Sequence, residues 1–247
     1  MDTIALVGNP NSGKTTLFNA LTGSNQHVGN WPGVTVEKKE GILKHNKKTY
    51  KIVDLPGTYS LGAFSDDEIV ARDFILKGNP SVVINVVDAT NIERNLYLTI
   101  QLLEMGAKVV VALNMVDEAE ERQISFDIEA LSDTLGIPII PTVASKREGI
   151  DGLIKKSIEL MDKDIDYINS ISYGDDIDEE IERLNKFLNG RDLEYPSQWI
   201  AVKLLEGDKY IYDLIDENEE SNSCNDFKNM IDHIKDNISD YELKIVD

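Results

Sequence analysis

Glycines, a lysine and hydroxyl side chains occur near the amino terminus at the spacing of a phosphate-binding loop. Residues 8–15 read GNPNSGKT, and they lie between an apolar run and a helical pattern. In this context backbone N–H groups converge on phosphate oxygens, and the start of the helix adds further donors. Lys14 would place its charge on the outer phosphates, and the hydroxyl of Thr15 can bind Mg²⁺. The sequence therefore predicts a site for a nucleoside phosphate at this loop.

The motif Asp-Leu-Pro-Gly at residues 54–57 follows a predicted strand, at the edge where parallel sheets bind ligands. Asp54 would hold Mg²⁺ through a water molecule, and the N–H of Gly57 can reach a γ-phosphate. Thr35 lies in a preceding loop rich in glycine and asparagine, and its hydroxyl can complete the coordination of Mg²⁺ when a γ-phosphate is present. Thr35 and Gly57 are therefore the two predicted sensors of the γ-phosphate.

The segment Asn-Met-Val-Asp at residues 114–117 ends another predicted strand and adds selectivity for a base. A carboxylate accepts two hydrogen bonds in parallel. Guanine offers N1–H and the N2 amine on one edge, whereas adenine has no such pair of donors there. Because an acceptor pair left unpaired by the wrong base can cost a factor of about 10⁴, Asp117 should select guanine. Asn114 would brace the site, and the N–H of Ala144, after the last strand, would meet guanine O6.

The order of these motifs at successive strand ends makes the prediction specific, since each motif alone is weak. Four residues are predicted to act in catalysis: Asn11, Lys14, Thr35 and Gly57. The predicted nucleotide-binding residues are Gly8, Asn9, Asn11, Ser12, Gly13, Lys14, Thr15, Thr16, Gly33, Val34, Thr35, Asp54, Gly57, Asn114, Met115, Asp117, Val143, Ala144 and Ser145. Thr15, Thr35 and, through water, Asp54 are the predicted Mg²⁺ ligands.

Apolar strand patterns alternate with helical patterns over the first two thirds of the chain. Strands are predicted at residues 3–7, 36–43, 49–53, 82–87, 109–113 and 139–140, and helices at 14–22, 66–77, 92–105, 128–135 and 151–161. Such alternation is typical of an α/β protein whose mostly parallel sheet is covered on both faces, and the early hairpin predicts one antiparallel edge. Residues 24–35 show neither period and are predicted to be a long loop.

The charge of the chain changes along its length and suggests two domains. The 247 residues carry a net charge of −20, with 22 acidic and 8 basic residues from position 166 onward. We expect a nucleotide-binding domain over residues 1–165 and a small helical domain over 166–247, whose four apolar stripes repeat at helical spacing. Its acidic runs are most simply solvated faces, with attraction of metal ions as the alternative. The acidic balance argues against a nucleic-acid partner.

Four stretches resemble the cytosolic amino-terminal part of the ferrous iron transport protein B family, a group of P-loop GTPases. They are residues 8–16, residues 28–36 with Asn-Trp-Pro-Gly-Val-Thr, residues 54–61 and residues 114–117. Residues 199–208, which read WIAVKLLEGD, resemble a signature of the family's helical spacer domain. The resemblance covers nearly the whole chain, and the loop with Asn-Trp-Pro-Gly-Val-Thr is its most specific part.

The resemblance implies a GTPase domain with a three-layer P-loop fold, followed by a helical domain that favours GDP binding. It also implies a membrane permease beyond residue 247, so that the full-length protein would work at the cytoplasmic face of the membrane. No apolar run reaches the ~18–20 residues of a membrane span, and we expect this part of the protein to be soluble. The resemblance also implies that GTP is the substrate, GDP the product and Mg²⁺ the cofactor. A homo-oligomer is a further possible assembly.

Two positions depart from the pattern of other GTPases. The last guanine loop reads Val143-Ala144-Ser145, where many GTPases have Ser before Ala, and Thr58 stands where Ras-like proteins have a water-orienting Gln. The attacking water would then be held by the backbone of residues 33–35 or by Thr58, and a monovalent cation would supply positive charge.

Asn11 and Trp31 each have a functional and a structural interpretation. Asn11 matches the position that ligates K⁺ in potassium-activated relatives, and the alternative is a turn former that bonds its own backbone. Trp31 is predicted to lie near the nucleotide and to move with the switch, and the alternative is ordinary packing.

Three functions fit these motifs. The first is a slow GTPase that regulates or powers ferrous iron uptake through an attached permease. The second is a GTPase of ribosome assembly, which the acidic helical part opposes because an RNA-binding appendage should be basic. The third is a nucleotide-sensing switch without meaningful turnover.

Overall fold

The computed structural model describes residues 1–23, 26–62, 65–163, 172–189, 193 and 195–217. Contacts divide the chain into two compact units, Met1–Ile165 and Asp166–Asp247. The first unit contains the sheet and all the predicted nucleotide-binding residues.

The first unit is built on one seven-stranded sheet. Its strands are β1 (Thr3–Gly8), β2 (Gln26–Asn30), β3 (Glu37–His45), β4 (Lys48–Asp54), β5 (Val82–Asp88), β6 (Val109–Asn114) and β7 (Ile139–Thr142). They lie in the order β2-β3-β4-β1-β5-β6-β7. β2 and β3 pair antiparallel, as do β3 and β4, and the remaining neighbours are parallel. The predicted α/β class, with a mostly parallel sheet and an antiparallel edge, is confirmed.

The described part of the chain contains nine α-helices, most of which lie between the strands in sequence. They are α1 (Lys14–Thr22), α2 (Asp66–Gly78), α3 (Ile92–Glu104), α4 (Val116–Glu121), α5 (Ile128–Leu135), α6 (Ile150–Met161), α7 (Asp175–Leu188), α8 (Ser197–Leu205) and α9 (Lys209–Glu217). The sequence pattern did not predict α4, because its six residues are mostly acidic and show no apolar stripe. Ser65 caps α2 by accepting a hydrogen bond from the N–H of Glu68, as expected before three acidic residues.

The central strands are buried on both faces, which explains their continuous apolar sequences. β5 and β6 consist almost wholly of buried residues. On one face, side chains of α1 and α6 such as Phe18 and Leu153 join strand residues such as Leu6 and Ile84 in a single core. Burial of this apolar surface fixes the strands, and the loops at their carboxyl ends are thereby held at one edge of the sheet.

The prediction that residues 24–35 form a loop without strand structure was wrong for part of that range. Gln26–Asn30 form β2, which pairs with β3 in the register Val28↔Lys39. All five residues of β2 are exposed. An edge strand without a buried face has no reason to alternate apolar and polar residues, so the sequence gives no period-two signal.

The second unit is helical where the structure describes it. The apolar stripe of α7, which includes Ile177, Ile181 and Leu184, is buried, and the indole of Trp199 in α8 is fully buried. Burial raises the pKa of Tyr212 to about 12, and its hydroxyl donates to the Leu204 carbonyl at 2.7 Å. The predicted fourth helix, with its stripe from residue 227 to 238, lies outside the described residues. No helix among the described residues is long and apolar enough to cross a membrane.

Candidate functional site

The predicted phosphate-binding loop, residues 8–15, joins β1 to α1 through a turn at Gly13. Gly13, which precedes α1, has a φ of 87° in the left-handed region. A Cβ atom there would lie 2.2 Å from Nδ2 of Asn114, so the position excludes any side chain sterically as well as conformationally. The N–H of Ser12 donates to the Asn9 carbonyl at 3.2 Å and closes the loop. Asn9 and Ser12 are buried, whereas Asn11, Thr15 and Thr16 are exposed.

Asn114 connects three of the predicted loops through its side chain. Its Nδ2 donates to the Ser12 carbonyl at 2.9 Å, and its Oδ1 accepts from the N–H of Ala144 at 3.0 Å. The hydroxyl of Thr142 donates to the same Oδ1 at 3.4 Å. Asn114 is only 2% exposed, so these bonds are shielded from water. One buried amide thus ties the ends of β6 and β7 to the phosphate-binding loop.

The N–H of Ala144 has a partner that the sequence did not predict. We expected it to meet guanine O6, but in this structure it donates to Asn114. Val143 pairs with Glu148 in a short bridge, which folds the loop after β7 back on itself. Ser145 is exposed at the same loop. The contact between Ala144 and O6 stays a prediction.

Lys14 and Asp54 form an ion pair in the part of the site predicted for phosphate and Mg²⁺. Nζ of Lys14 lies 2.5 Å from Oδ1 of Asp54, and the two side chains are 11% and 5% exposed. Lys14 begins α1, and Asp54 ends β4 beside β1, where Leu6 is paired with it. The structure therefore brings together two residues that are 40 positions apart in sequence, one at the start of α1 and one at the end of β4.

Asp117 is paired with a lysine that sequence reasoning missed. Nζ of Lys146 lies 2.7 Å from Oδ2 of Asp117. This hydrogen bond holds the pKa of the Asp117 carboxyl below its ordinary value of 3.8 and raises that of Lys146. Asp117 therefore stays an ionised acceptor at neutral pH, which reading a pair of donors requires. The only signal in the sequence was a basic residue two positions after Ala144.

Met115 is the residue between Asn114 and α4, and it adopts a left-handed turn. Its φ is 63°, which is uncommon for a side chain other than Asn, Asp or Gly. The methyl carbon of Met115 would lie 3.3 Å from a Cβ at Gly13. The Asn-Met-Val-Asp segment is thus seated directly against the phosphate-binding loop.

The segment Gly57–Thr58 lies against the phosphate-binding loop from the other side. The N–H of Thr58 donates to the Gly8 carbonyl at 3.3 Å, and a Cβ at Gly57 would lie 3.5 Å from the Cα of Pro10. The hydroxyl of Thr58 donates to the Ser60 carbonyl and accepts from the Ser60 N–H. This local turn occupies the hydroxyl that was one candidate for holding the attacking water, which favours the backbone of residues 33–35.

The loop that contains Thr35 is closed by a bond from the N–H of Trp31 to the Val36 carbonyl at 2.9 Å. The indole of Trp31 meets Phe74 of α2 edge to face, with ring centroids 5.4 Å apart, and Lys38 lies 4.6 Å above the same ring. This is the packing alternative for Trp31, and its position near a nucleotide stays a prediction.

Thr35 is exposed in this arrangement. Gly33 and Val34 form the turn between them.

The donor set fits Mg²⁺ through its chemistry. Hydroxyl and carboxylate oxygens, here of Thr15 and Asp54, are the ligands this hard cation prefers, and it commonly keeps several waters and phosphate oxygens. Within the described residues no cluster of three or more His, Cys, Asp or Glu side chains could hold a metal ion by itself. Water and phosphate oxygens would supply the rest of the coordination of a Mg²⁺ held by Thr15 and Asp54.

Comparison with known proteins gives consistent matches over both units. A family model for Ferrous iron transport protein B matches residues 2–157, and one for the FeoB cytosolic helical domain matches residues 173–247. The Fe(2+) transporter FeoB of Escherichia coli K12 is 48% identical over 212 residues, which cover 84% of this chain and 27% of the relative. The chain thus spans about a quarter of the length of the curated relatives it matches.

Two solved structures resemble the chain over its full length. The cytosolic domain of the T. maritima FeoB transporter in its GMPPNP form has a TM-score of 0.83 and 39% identity, covering 100% of this chain and 98% of that one. A GDP-bound mutant of the S. thermophilus FeoB G-domain has a TM-score of 0.87 and 39% identity, covering 100% and 94%. The family matches, the identity to full-length relatives and these structures agree, and the chain therefore belongs to the ferrous iron transport protein B family.

Proposed function

We propose that this chain is the GTP-binding and slowly GTP-hydrolysing part of a ferrous iron transporter, and that its nucleotide state regulates or powers a membrane permease carried elsewhere in the full-length polypeptide. The observation that carries the proposal is the cluster of loops at one sheet edge, tied together by Asn114. Relatives named as Fe(2+) transporters support the transport role, and related domains with GDP and GMPPNP support guanine nucleotides as ligands.

In this proposal each side chain has a separate task. The backbone of residues 8–13 and the charge of Lys14 hold the phosphates, and Asp117 reads guanine. Thr15, Thr35 and, through water, Asp54 would hold Mg²⁺, which would supply positive charge against the phosphates. The N–H of Gly57 contacts the γ-phosphate. Residues 1–165 would act as the G domain, and residues 166–247 as a helical spacer that favours GDP.

A binding titration tests the proposal directly. GTP, GDP and ATP are titrated into the protein with Mg²⁺, in K⁺ and in Na⁺ buffers. GTP and GDP are expected to bind, and ATP to bind about 10⁴-fold more weakly, because adenine leaves the Asp117 acceptors unpaired. Equal affinity for ATP and GTP, or no affinity for any of the three, would contradict the proposal.

The alternative of a switch without turnover has one observation in its favour. The Thr58 hydroxyl donates its proton to the Ser60 carbonyl, so Thr58 has no donor left to act in place of the missing Gln. Multiple-turnover phosphate release separates the two functions, since a pure switch releases at most one phosphate per protein. A growth test on limiting iron separates these two functions from a role in ribosome assembly. The full-length gene should restore growth, and its Asp117→Asn form should not.

Thr35→Ala is expected to lower affinity for GMPPNP about tenfold while GDP affinity changes little. The reason is that Thr35 would meet Mg²⁺ only when a γ-phosphate is present, so its loss removes a contact to one state alone. Calorimetric Kd values for the two nucleotides measure the ratio. Thr49→Ala, an exposed threonine in β4, is the matched control. An equal loss for both nucleotides would refute the sensing role of Thr35.

Asn11→Ala is expected to abolish any difference in hydrolysis rate between K⁺ and Na⁺ buffers. Asn11 is exposed with a φ of 69°, so it also fits the turn-forming alternative. Asn46→Ala removes another left-handed Asn, with a φ of 48°, in the hairpin of β3 and β4. Phosphate release in the two salts is the measurement. If the wild-type protein prefers K⁺ and Asn11→Ala keeps that preference, Asn11 is not the ligand.

A further inference from the structure

Asn9 is the one residue of the phosphate-binding loop whose side-chain amide is buried without a protein partner. It is 3% exposed. Within the part of the chain that the structure describes, neither Nδ2 nor Oδ1 of Asn9 has a hydrogen-bond partner. The backbone carbonyl of Asn9 is already used by the N–H of Ser12, so the loop conformation does not depend on the amide.

Leaving a buried amide unpaired is unfavourable, because each unmatched polar group loses its bonds to water without a replacement. Native proteins retain few such groups, and those they retain call for a specific explanation. An amide offers two donors on one end and an acceptor on the other. Its natural partner is therefore a stretch of backbone, which presents both a carbonyl and an N–H.

The backbone next to Asn9 is the Gly57–Thr58 segment. The residue before Asn9, Gly8, accepts a hydrogen bond from the N–H of Thr58, and the residue after it, Pro10, lies against Gly57. Asn9 is thus flanked on both sides by contacts to this segment. The bond between Thr58 and Gly8 is long, at 3.3 Å, so a small shift of the segment costs little.

We propose that Asn9 is a positioning residue whose carboxamide hydrogen-bonds the backbone of Gly57–Thr58 when that segment moves to present the N–H of Gly57 to a γ-phosphate. In the arrangement described here the amide is unmatched, and in the triphosphate arrangement it is matched. Asn9 therefore biases the segment toward the state that binds a triphosphate. This inference rests on the proposed function, since it assigns Asn9 to the γ-phosphate sensing of that same site.

Asn9 also offers a side-chain amide close to Thr58, which stands where Ras-like proteins have a water-orienting Gln. Thr58 has no free side-chain donor, because its hydroxyl proton is donated to the Ser60 carbonyl. A hydrogen bond from the neighbouring Asn9 carboxamide would orient the backbone of this segment. Asn9 carries the same carboxamide group as Gln. In this proposal the group positions the Gly57–Thr58 backbone and does not contact the attacking water.

Asn9→Ala tests the proposal through two measurements, nucleotide affinity and melting temperature. Substitution of a purely structural residue would not give the expected combination of results. Affinity for GMPPNP is expected to fall about 5- to 30-fold more than affinity for GDP, because the one or two lost hydrogen bonds are made only in the triphosphate state. The melting temperature of the protein without added nucleotide is expected to stay the same or rise, because the substitution removes unmatched polar atoms. Asn9→Ser, which keeps a smaller polar group that spans less distance, should change the ratio in the same direction.

Asn85→Ala is the matched control. Asn85 is a buried amide in β5 whose Nδ2 donates to the hydroxyl of Thr99 in α3 at 2.8 Å. It should lower the melting temperature and leave the GMPPNP-to-GDP ratio unchanged. If Asn9→Ala and Asn9→Ser behave like Asn85→Ala, or weaken both nucleotides equally, the proposal is overturned. If the wild-type protein binds neither nucleotide, the proposed function fails and this inference fails with it.

Discussion

Asp117→Asn is expected to weaken GDP binding by a factor of about 10⁴, which is the largest effect of any single substitution considered for this protein. The carboxylate offers two acceptors to the N1–H and N2 amine of guanine, whereas the carboxamide of Asn offers one acceptor and places a donor against the amine. The hydrogen bond with Lys146 lowers the pKa of Asp117 from an ordinary value that is already far below 7, so the carboxyl is ionised and the loss should not depend on pH near 7. Isothermal calorimetry with GDP measures it.

Xanthosine diphosphate separates a specific loss from a general one. Xanthine has a carbonyl at C2 in place of the amine, so the donor and acceptor of Asn match its edge. The variant should therefore bind xanthosine diphosphate more tightly than GDP, and the wild-type protein should show the reverse order. Asp133→Asn, an exposed aspartate in α5, is the control for charge. GDP affinity within a few-fold of wild type would show that Asp117 does not read the base.

Lys14→Met is expected to lower GDP affinity about 10²- to 10³-fold, because it removes a charge-assisted contact to the phosphates in a shielded site. It should also reduce the free energy of unfolding by roughly 2–3 kcal/mol. The second effect follows from the ion pair with Asp54, a carboxylate only 5% exposed that would lose its partner. Calorimetry with GDP and urea-induced unfolding measure the two quantities separately.

A double variant shows which part of the loss is structural. Lys14→Met with Asp54→Asn removes the unpaired charge, so stability should recover in part while GDP affinity stays low. Lys51→Met breaks the ion pair with Glu40, at 2.8 Å between more exposed side chains, and should cost no more than about 1 kcal/mol without changing nucleotide affinity. Full recovery of GDP binding in the double variant would mean that Lys14 acts on the fold and not on phosphate.

The fold was predictable because its signals are local. Apolar runs such as those of β5 and β6 mark strands buried on both faces, and glycine and proline mark the ends of helices. The exceptions have a common cause. β2 has no buried residue and α4 buries only Ala119, so their own sequences carry no periodic apolar signal of the pairing or packing that forms them.

The candidate site was predictable to the level of which loops meet. Because β1, β4, β5, β6 and β7 run parallel in one sheet, their carboxyl ends must lie at one edge, and motifs placed at those ends must be neighbours. The sequence therefore determined the family, the fold class and the likeness of these loops to a guanine-nucleotide site.

Only the tertiary structure decided which atoms pair. Three contacts of the site join residues 29 to 40 positions apart: Lys14 with Asp54, Lys146 with Asp117, and Ala144 with Asn114. Asn9 was left without a partner by the same packing. A hydrogen bond depends on distances of a few tenths of an ångström, and these are set by how helices seat on the sheet rather than by any local pattern. Sequence fixes the chemistry available at each loop, and packing selects the partner.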